Sequence, residues 1–330
     1  MIKKILLIVF LFVLVLEAQP KYSEISGMAG SFSRMGFGSR GIGMGNALSA
    51  VTNGHLSTYY NPALAVFQSD NSFQTSYSFL SLDRTLNFVN FTKRFEMGRN
   101  RTDTTKARSV AGLSAGLINA GVGKIELRDG QGNKYDEVST SENLIFISLA
   151  NQFSSKLAIG LTFRFYYFSL VDELSASSLG FDIGALYTLS ERIKISLVFS
   201  DINSKYKWDT GALYGANGKN TDNKFPLSKR IGISYNLPEY RAVAAFEVEN
   251  YNSTATFIRA GVEYFVIEEL ALRGGIDKVN LSNSNFPMRP SFGFSYFYKL
   301  SKLVIGVDYA FAIEPYSTHD QHILGINFKF

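Results

Sequence analysis

Three histidines could act as general bases near neutral pH, and each stands apart from the other groups that catalysis needs. His55, His319 and His322 are the only histidines of the 330-residue chain, which has no cysteine. Acyl transfer needs a nucleophile, a base and an orienting group that converge, and no serine motif here marks a nucleophile. Asp320 follows His319 directly and would point to the opposite face of a strand. We therefore expect no enzyme activity, no catalytic residues, and no metal or cofactor site.

Charged residues at alternate positions of apolar segments are the second group that could do chemistry. Each would project to the face opposite an apolar stripe, so together they would line one interior. Neighbouring segments often carry opposite signs, which suits ion pairs between strands in a water-filled or plugged lumen. Such a ladder would either hold the wall together or line an ion-selective pore. The residues concerned are Arg164, Asp182, Lys194, Arg230, Glu247, Arg259, Glu263, Arg273 and Asp308.

The elements that must position these charges are segments in which large apolar residues alternate with small or polar ones. Residues 157–168, "LAIGLTFRFYYF", follow this rule, and so do residues 289–298 and 302–311. A period of two predicts strands, and an even number of them can close into a barrel without unpaired edges in lipid. The sequence predicts an all-β fold, an antiparallel transmembrane β-barrel of about fourteen strands. The segments begin near residues 72, 85, 107, 142, 157, 178, 193, 227, 240, 257, 270, 289, 302 and 321.

The connections between the segments indicate which side of the membrane each strand end would face. Outer-membrane barrels have short turns on the periplasmic side and longer loops outside. Short and long connections alternate from residue 142 onward, but the first connection is a tight turn at Asp83-Arg84 and the second is longer. The long connections after residue 142 span 169–178, 203–227, 250–257, 278–289 and 312–321.

The first twenty residues, "MIKKILLIVFLFVLVLEAQP", have the three-part pattern of an export signal. Two lysines precede an apolar run from Ile5 to Leu16, and Ala18 offers a small residue for cleavage. The run is shorter than the roughly twenty residues of a spanning helix, although an uncleaved anchor is the alternative. We expect residues 1–18 to be a signal peptide and the protein to lie in the outer membrane of a Gram-negative-type bacterium. A scattered formal charge of +5 gives no indication of nucleic-acid binding.

The last nine residues, "HILGINFKF", form one more alternating segment, which ends on an aromatic residue. A chain terminus usually frays in water unless something holds it. We expect this strand to close the barrel, with its apolar face toward outer-membrane lipid, and to be the signal that the barrel-assembly machinery reads. The apolar residues of this predicted assembly signal are Leu324, Ile326, Phe328 and Phe330.

Residues 36–67 are rich in glycine and do not alternate like a strand. The stretch "GSRGIGMG" lacks the preceding buried strand and the Lys-Thr ending of a phosphate-binding loop. Glycines permit close backbone contacts and Pro62 would stop a short helix, so a plug folded back into the lumen is the better interpretation. We expect residues 19–70 to form this hatch and residues 71–330 to form the barrel. The predicted hatch motif is Gly41, Gly43, Gly45, Tyr59, Tyr60, Asn61, Pro62 and Ala63.

The "RGIGMGNA" opening and "YYNPA" ending of this segment resemble the N-terminal hatch of the FadL-type hydrocarbon transporter superfamily. Together with "KFPLSKRIGISYNLP", "IRAGVEYFVIEELALRGGID" and "STHDQHILGINFKF", they make the mature chain most similar to the PorV/PorQ family. The resemblance implies a fourteen-stranded barrel with an internal hatch. Asn53, Gly54 and His55 depart from the family pattern, in which an acidic pair tends to precede the Tyr-Asn-Pro element.

The resemblance implies two alternative functions. PorV-type proteins shuttle secreted proteins from a translocon to an attachment complex in type IX secretion. In the long loop around Trp208, this tryptophan could be an anchor for secreted proteins or secretion components, and it could equally be part of the loop's own packing. FadL-type proteins pass hydrophobic small molecules, which leave sideways through a gap in the wall. For this alternative, Phe168 and Phe265 are apolar candidates among the lumen charges. The main expectation is the shuttle, and the alternative is a passive transporter.

Overall fold

The computed structural model describes five stretches of the chain. The predicted signal peptide, residues 1–18, lies outside these stretches, as does the beginning of the predicted hatch. The described stretches are residues 24–99, 107–171, 174–252, 255–283 and 285–330.

Within the described residues, fourteen antiparallel strands close into one barrel, and two further strands form a separate small sheet. The small sheet lies between the seventh and eighth barrel strands in the chain. The barrel strands before it are β1 (Ser72–Phe79), β2 (Arg84–Arg99), β3 (Ala107–Arg128), β4 (Lys134–Gln152), β5 (Leu157–Val171), β6 (Leu174–Thr188) and β7 (Ile193–Ile202). The small sheet is β8 (Lys205–Asp209) and β9 (Asn220–Lys224). The remaining barrel strands are β10 (Ser228–Leu237), β11 (Ala242–Tyr251), β12 (Ala255–Ile267), β13 (Leu270–Asn280), β14 (Arg289–Leu300), β15 (Leu303–Ala312) and β16 (Gln321–Lys329).

The barrel closes where the first strand pairs with the last. The β1–β16 register runs from Ser72 opposite Lys329 to Phe79 opposite His322. Every barrel strand therefore has two hydrogen-bonded neighbours, which satisfies the backbone groups that lipid could not. The predicted fold class is confirmed, and each of the fourteen predicted segments corresponds to one barrel strand. None of the described helices is long and apolar enough to cross a membrane.

Two strands extend further than the sequence pattern predicted. β4 begins at Lys134 rather than near residue 142, and β6 begins at Leu174 rather than near residue 178. In β6, Leu174 and Ala176 point inward and are buried, whereas Ser175 and Ser177 point outward and are exposed. Polar outer residues remove the apolar stripe that marks a lipid-facing strand, although the backbone pairing continues. The predicted long loop at 169–178 is therefore mostly strand.

The alternation of side chains places large apolar residues outside and small or polar residues inside. In β5, Leu161, Phe163 and Phe165 are each between two-fifths and about half exposed on the outer face. Thr162 and Arg164, which lie between them, are buried in the lumen. The outer face therefore suits lipid, and the inner face receives the N-terminal segment.

The N-terminal segment occupies the lumen and is called the hatch below. Its short helix Ser39–Gly43 packs against β13–β16, and its 3₁₀ helix Pro62–Phe67 packs against β2–β6. Two further 3₁₀ helices, Glu24–Gly27 and Ser31–Arg34, precede them. The hatch thus spans the lumen and contacts opposite walls. Its predicted limits, residues 19–70, stay a prediction, and so does the barrel domain from residue 71.

Candidate functional site

The glycines of the predicted hatch motif allow the chain to approach neighbouring groups closely. A Cβ at Gly41 would lie 1.9 Å from the Tyr60 hydroxyl oxygen, which leaves no space for a side chain. Gly45 has a φ of +59°, and a Cβ there would lie 2.6 Å from the Ile276 carbonyl oxygen. Gly43 is less constrained, because its nearest contact would be 3.4 Å away. Gly41 therefore allows close packing within the hatch, and Gly45 allows the hatch backbone to approach β13 closely.

The two tyrosines of the motif form hydrogen bonds within the hatch. The Tyr59 hydroxyl donates to the Ser33 carbonyl oxygen at 2.8 Å. The Tyr60 hydroxyl lies 2.8 Å from the Phe37 carbonyl oxygen and 2.7 Å from Asn46 Oδ1. Burial raises the pKa of Tyr59 to about 12, so its hydroxyl stays protonated and donates at neutral pH. These bonds join the beginning of the hatch to its end.

Asn61, Pro62 and Ala63 begin the 3₁₀ helix that packs against the wall. Asn61 Oδ1 accepts from the Ala63 backbone N–H at 2.9 Å, and Asn61 Nδ2 donates to the Ser49 carbonyl oxygen at 2.9 Å. Asn61 is therefore an N-cap, and Pro62 takes the first helical position, where a missing N–H costs nothing. Ala63 has no exposed surface. The motif places this helix directly on the inner wall.

On the opposite wall, Arg40 of the hatch forms a buried bidentate ion pair with Glu263 of β12. Arg40 Nη2 lies 2.7 Å from Glu263 Oε1, and Arg40 Nε lies 2.9 Å from Oε2. Glu263 Oε2 also accepts from Arg273 Nε at 2.6 Å. Arg40 Nη1 donates to the carbonyl oxygens of Asn53 and His55. One carboxylate thus joins a hatch cation to a wall cation.

His55 is a structural part of the same hatch region. Its Nδ1 lies 2.9 Å from Ser72 Oγ, and its ring stacks on Phe297 with a centroid distance of 6.0 Å. Burial and the nearby cations Lys329 and Arg40 lower the pKa of His55 well below its usual value. The imidazole is therefore neutral at physiological pH and is enclosed by its neighbours.

Most of the predicted lumen charges meet in networks on the inner wall. Arg164 Nε donates to Asp182 Oδ2 at 2.6 Å across the β5–β6 pair. Arg259 lies between Glu249 and Asp277, and it contacts Asp277 Oδ1 at 2.6 Å. The other ion pairs within the predicted set are Arg230 with Glu247 at 3.7 Å and Glu263 with Arg273. Asp308 instead accepts a hydrogen bond from Asn327 Nδ2, which is outside the predicted set, at 2.6 Å.

Lys194 does not join these networks. It is half-buried near the turn end of β7, where its backbone neighbours are Thr188 and Ser234. In the part of the chain that the structure describes, its ammonium group makes no ion pair. Its inward position follows from the alternation, but that alternation does not provide an acidic neighbour.

Several charged members of the networks were not singled out from the sequence. Glu249, Asp277 and Arg289 share the inward parity of the predicted residues, so alternation could have found them. Arg40 belongs to the hatch, where no strand periodicity predicts its direction. The remaining missed members are Asp201, next to Arg164 and Tyr166, and Glu314, which pairs with Arg289.

Between their rims, the inward side chains of β2–β4 carry no charge apart from Glu142 of β4, and this wall is called the uncharged side below. Leu86, Phe88, Ile118, Leu144 and Phe146 are fully buried there against the hatch. The polar residues on this wall are neutral and bond one another, as in the contact of Thr92 Oγ1 with Ser114 Oγ at 2.9 Å. The wall formed by β10–β14, called the charged side, carries the ion pairs of Arg230, Arg259 and Arg273.

Two cavities flank the 3₁₀ helix Ser31–Arg34 near the end of the barrel that carries the long connections. The β3–β4 cavity has a volume of about 260 Å³ and is lined mainly by apolar residues, including Phe32, Leu86 and Phe168. The β12–β13 cavity has a volume of about 180 Å³ and combines aromatic residues with Arg34, Arg259 and Lys278. Phe168 thus lines a cavity, whereas Phe265 stacks on Phe297 near the opposite rim.

The long connection at 203–227 folds over the mouth of the barrel instead of projecting from it. Tyr206 of β8 is fully buried and contacts Tyr166 and Phe225. The Trp208 ring packs on Phe168 with a centroid distance of 5.3 Å. Trp208 is therefore part of the loop's packing, which does not support its interpretation as an exposed anchor for protein partners.

The C-terminal strand has the orientation that its alternation predicts. Leu324, Ile326 and Phe330 are each about half exposed on the outer face, and Phe328 packs beside Phe73 at 6.1 Å. The Phe330 N–H donates to the Asn71 carbonyl oxygen at 3.1 Å, which extends the closing ladder by one residue. The role of these four residues as an assembly signal stays a prediction.

Comparisons with known proteins give matches in structure but not in sequence. No family model matches the chain, and no curated protein matches it. The toluene transporter TodX of Pseudomonas putida is similar in structure, with a TM-score of 0.57 and 14% identity over 89% of this chain and 96% of that one. A FadL homologue of Pseudomonas aeruginosa has a TM-score of 0.59 and 10% identity over 89% of this chain and 98% of that one.

At such identities the matches show the fold alone, and both proteins are FadL-type barrels. The resemblance to the PorV/PorQ family is not confirmed, and the secretion-shuttle hypothesis gains no support. Neither of the two proteins is described as an enzyme, and TodX is described as a toluene transporter. The chain has the fold of the FadL-type outer-membrane barrels of Gram-negative bacteria.

Proposed function

We propose that this protein is a passive transporter that carries hydrophobic small molecules across the outer membrane. The observation that carries the proposal is the mainly apolar β3–β4 cavity, which lies between the hatch and the wall near the outer end of the lumen. An apolar cavity with a few polar groups is the usual form of a small-molecule site. The fold shared with a toluene transporter adds support.

The hatch would control passage in this proposal. It fills the lumen between two walls, so a molecule that enters the cavity can continue only if the hatch or the wall rearranges. The 3₁₀ helix Pro62–Phe67 meets the uncharged side through apolar contacts, which lack the directionality of ion pairs. We therefore expect movement of the hatch to begin on that side.

Uptake of labelled toluene tests the proposal directly. We would express the full chain in a bacterial host that lacks its own hydrocarbon transporter and compare the initial uptake rate with that of a host carrying an unrelated barrel. Faster uptake at equal amounts of folded protein is the expected result. Uptake no faster than in the host that carries the unrelated barrel would contradict the proposal.

A disulfide between the hatch and the wall tests whether the hatch controls passage. On the uncharged side, Ser148 Oγ of β4 lies 2.9 Å from Thr58 Oγ1 of the hatch, close enough for a disulfide after Ser148→Cys and Thr58→Cys. The natural chain has no cysteine that could form a competing bond. We expect oxidation to reduce toluene uptake about tenfold or more, and reductant to restore it. The two single-cysteine variants are the controls, and unchanged uptake after oxidation would exclude hatch control.

A further inference from the structure

Glu142 of β4 is an acidic side chain placed in an otherwise mainly apolar cavity. Its backbone lies opposite Ala120 of β3 and Phe168 of β5, and all three residues line the β3–β4 cavity. The side chain is half-buried. A carboxylate that is partly removed from water loses hydration, and it normally regains that energy from a hydrogen-bond donor or a cation.

No such partner is present among the described residues. The Glu142 carboxylate makes neither an ion pair nor a hydrogen bond with them, whereas every acidic member of the lumen networks described above is bonded. The β3–β4 wall also lacks the arginines that neutralise Glu247, Glu249 and Glu263 on the charged side. Among the described residues, Glu142 is therefore an acceptor with neither a hydrogen-bonded nor an ion-paired partner.

Two arginines lie near the cavity, and both are bonded elsewhere. Arg84, at the rim, donates from Nε to the Ser81 carbonyl oxygen at 2.9 Å. Arg34 donates to the carbonyl oxygens of Ala29, Gly30, Ile25 and Met28, and it lines the β12–β13 cavity on the other side of its helix.

The rest of the lining would fit an aromatic or aliphatic group joined to a short polar head. Phe32, Leu86 and Phe168 provide apolar walls, and Thr140, which has the same inward parity as Glu142 on β4, also lines the cavity. An ammonium group has three donors, which a carboxylate and hydroxyl oxygens can accept. The volume of about 260 Å³ is closer to that of a single-ring molecule than to that of a long lipid chain.

We propose that the β3–β4 cavity selects hydrophobic amines, single-ring arylalkylamines in particular, with Glu142 as the acceptor for their ammonium group. The inference rests on the proposed transport function and names the class of molecule that is transported best. A neutral hydrocarbon would leave Glu142 without a partner, and an aromatic carboxylate would place a second negative charge beside it. Both should therefore bind more weakly than an amine of the same size.

Trp208 provides a reporter for the test. It is the single tryptophan of the chain, and its ring packs on Phe168, which lines the cavity. We would reconstitute the full chain in lipid nanodiscs at pH 8 and titrate benzylamine, benzyl alcohol, toluene and benzoate while recording Trp208 fluorescence. These probes share one ring and differ in the charge and donors of the substituent.

The expected order of affinity is benzylamine first, then benzyl alcohol, toluene and benzoate. A charge-assisted hydrogen bond should make benzylamine bind about tenfold or more tightly than toluene. Glu142→Gln, which keeps the shape and removes the charge, should eliminate most of this preference. Glu142→Lys should reverse it in favour of benzoate. Glu137→Gln, an exposed position on the same strand, is the matched control and should change nothing.

The outcomes separate this inference from the proposed function. If toluene binds and is taken up but benzylamine binds no better, the amine selectivity is wrong and the transport function stands. If the benzylamine preference persists unchanged in Glu142→Gln, Glu142 is not the acceptor and the inference is also overturned. If none of the probes binds and toluene uptake is absent, the proposed function fails as well.

Discussion

The charged side and the uncharged side of the lumen hold one hatch by different means. On the charged side, Arg40 meets Glu263, and the Ser49 N–H donates to Glu247 Oε1 at 2.5 Å. On the uncharged side, the 3₁₀ helix Pro62–Phe67 lies against Leu144 and Phe146 without a charged contact. Ion pairs with fixed geometry define one position, whereas apolar contacts depend mainly on area. From this difference we expect the charged side to anchor the hatch and movement of the hatch to begin on the uncharged side.

Removal of Glu263 should have the largest effect on this arrangement. Glu263→Ala would leave Arg40 and Arg273 buried without their shared carboxylate, and the loss of one partner of a buried ion pair costs about 3–5 kcal/mol. We expect the free energy of unfolding to fall by about that amount. Urea titration in lipid vesicles, followed by Trp208 fluorescence, measures the change.

Two controls separate the loss of the anchor from a general loss of charge. Glu137→Ala removes an exposed ion pair with Lys134 and should cost less than about 1 kcal/mol. The triple variant Arg40→Met, Glu263→Leu and Arg273→Met replaces the whole network with apolar groups and should recover much of the stability. A change below about 1 kcal/mol in Glu263→Ala would show that this ion pair does not anchor the hatch.

A steric change on the uncharged side should have a smaller effect. A Cβ at Gly112 of β3 would lie 2.5 Å from the Ala65 carbonyl carbon in the hatch. Gly112→Ala should therefore displace the 3₁₀ helix at a cost of about 1–3 kcal/mol, and it should also raise toluene leakage past the hatch. Gly274→Ala is the matched control, because a Cβ there has no atom within 4 Å. Equal effects of the two substitutions would contradict the close packing of the hatch.

The barrel was predictable from the sequence because each of its strands repeats the same simple rule. Lipid outside and a packed lumen inside require opposite faces, and residues such as Phe163 and Arg164 show that requirement directly. Where a strand extends beyond the lipid into water, its outer residues are polar and the alternation of apolar and polar residues disappears. The beginning of β6 was therefore predicted as loop. Backbone pairing continues there without an apolar stripe.

The hatch and the loop over the mouth were less predictable, since their contacts join residues far apart in sequence. Nothing around Arg40 indicates that its partner is Glu263, on a strand more than two hundred residues later. Trp208 looked equally suited to an exposed anchor and to loop packing until its contact with Phe168 was known. The glycines were informative about close packing but not about which wall they would meet.

The smallest effect is expected at Lys194. This prediction distinguishes charged residues that belong to an ion-pair network from charged residues that only point into the lumen. Lys194→Ala should change the free energy of unfolding by less than about 0.5 kcal/mol, because the half-buried ammonium group has no ion pair among the described residues. Arg164→Ala, at an inward position of β5, should cost several times more because Asp182 would stay buried without its partner. The same urea titration compares the two variants. Similar losses would mean that Lys194 has an electrostatic role in the lumen that its position on β7 does not explain.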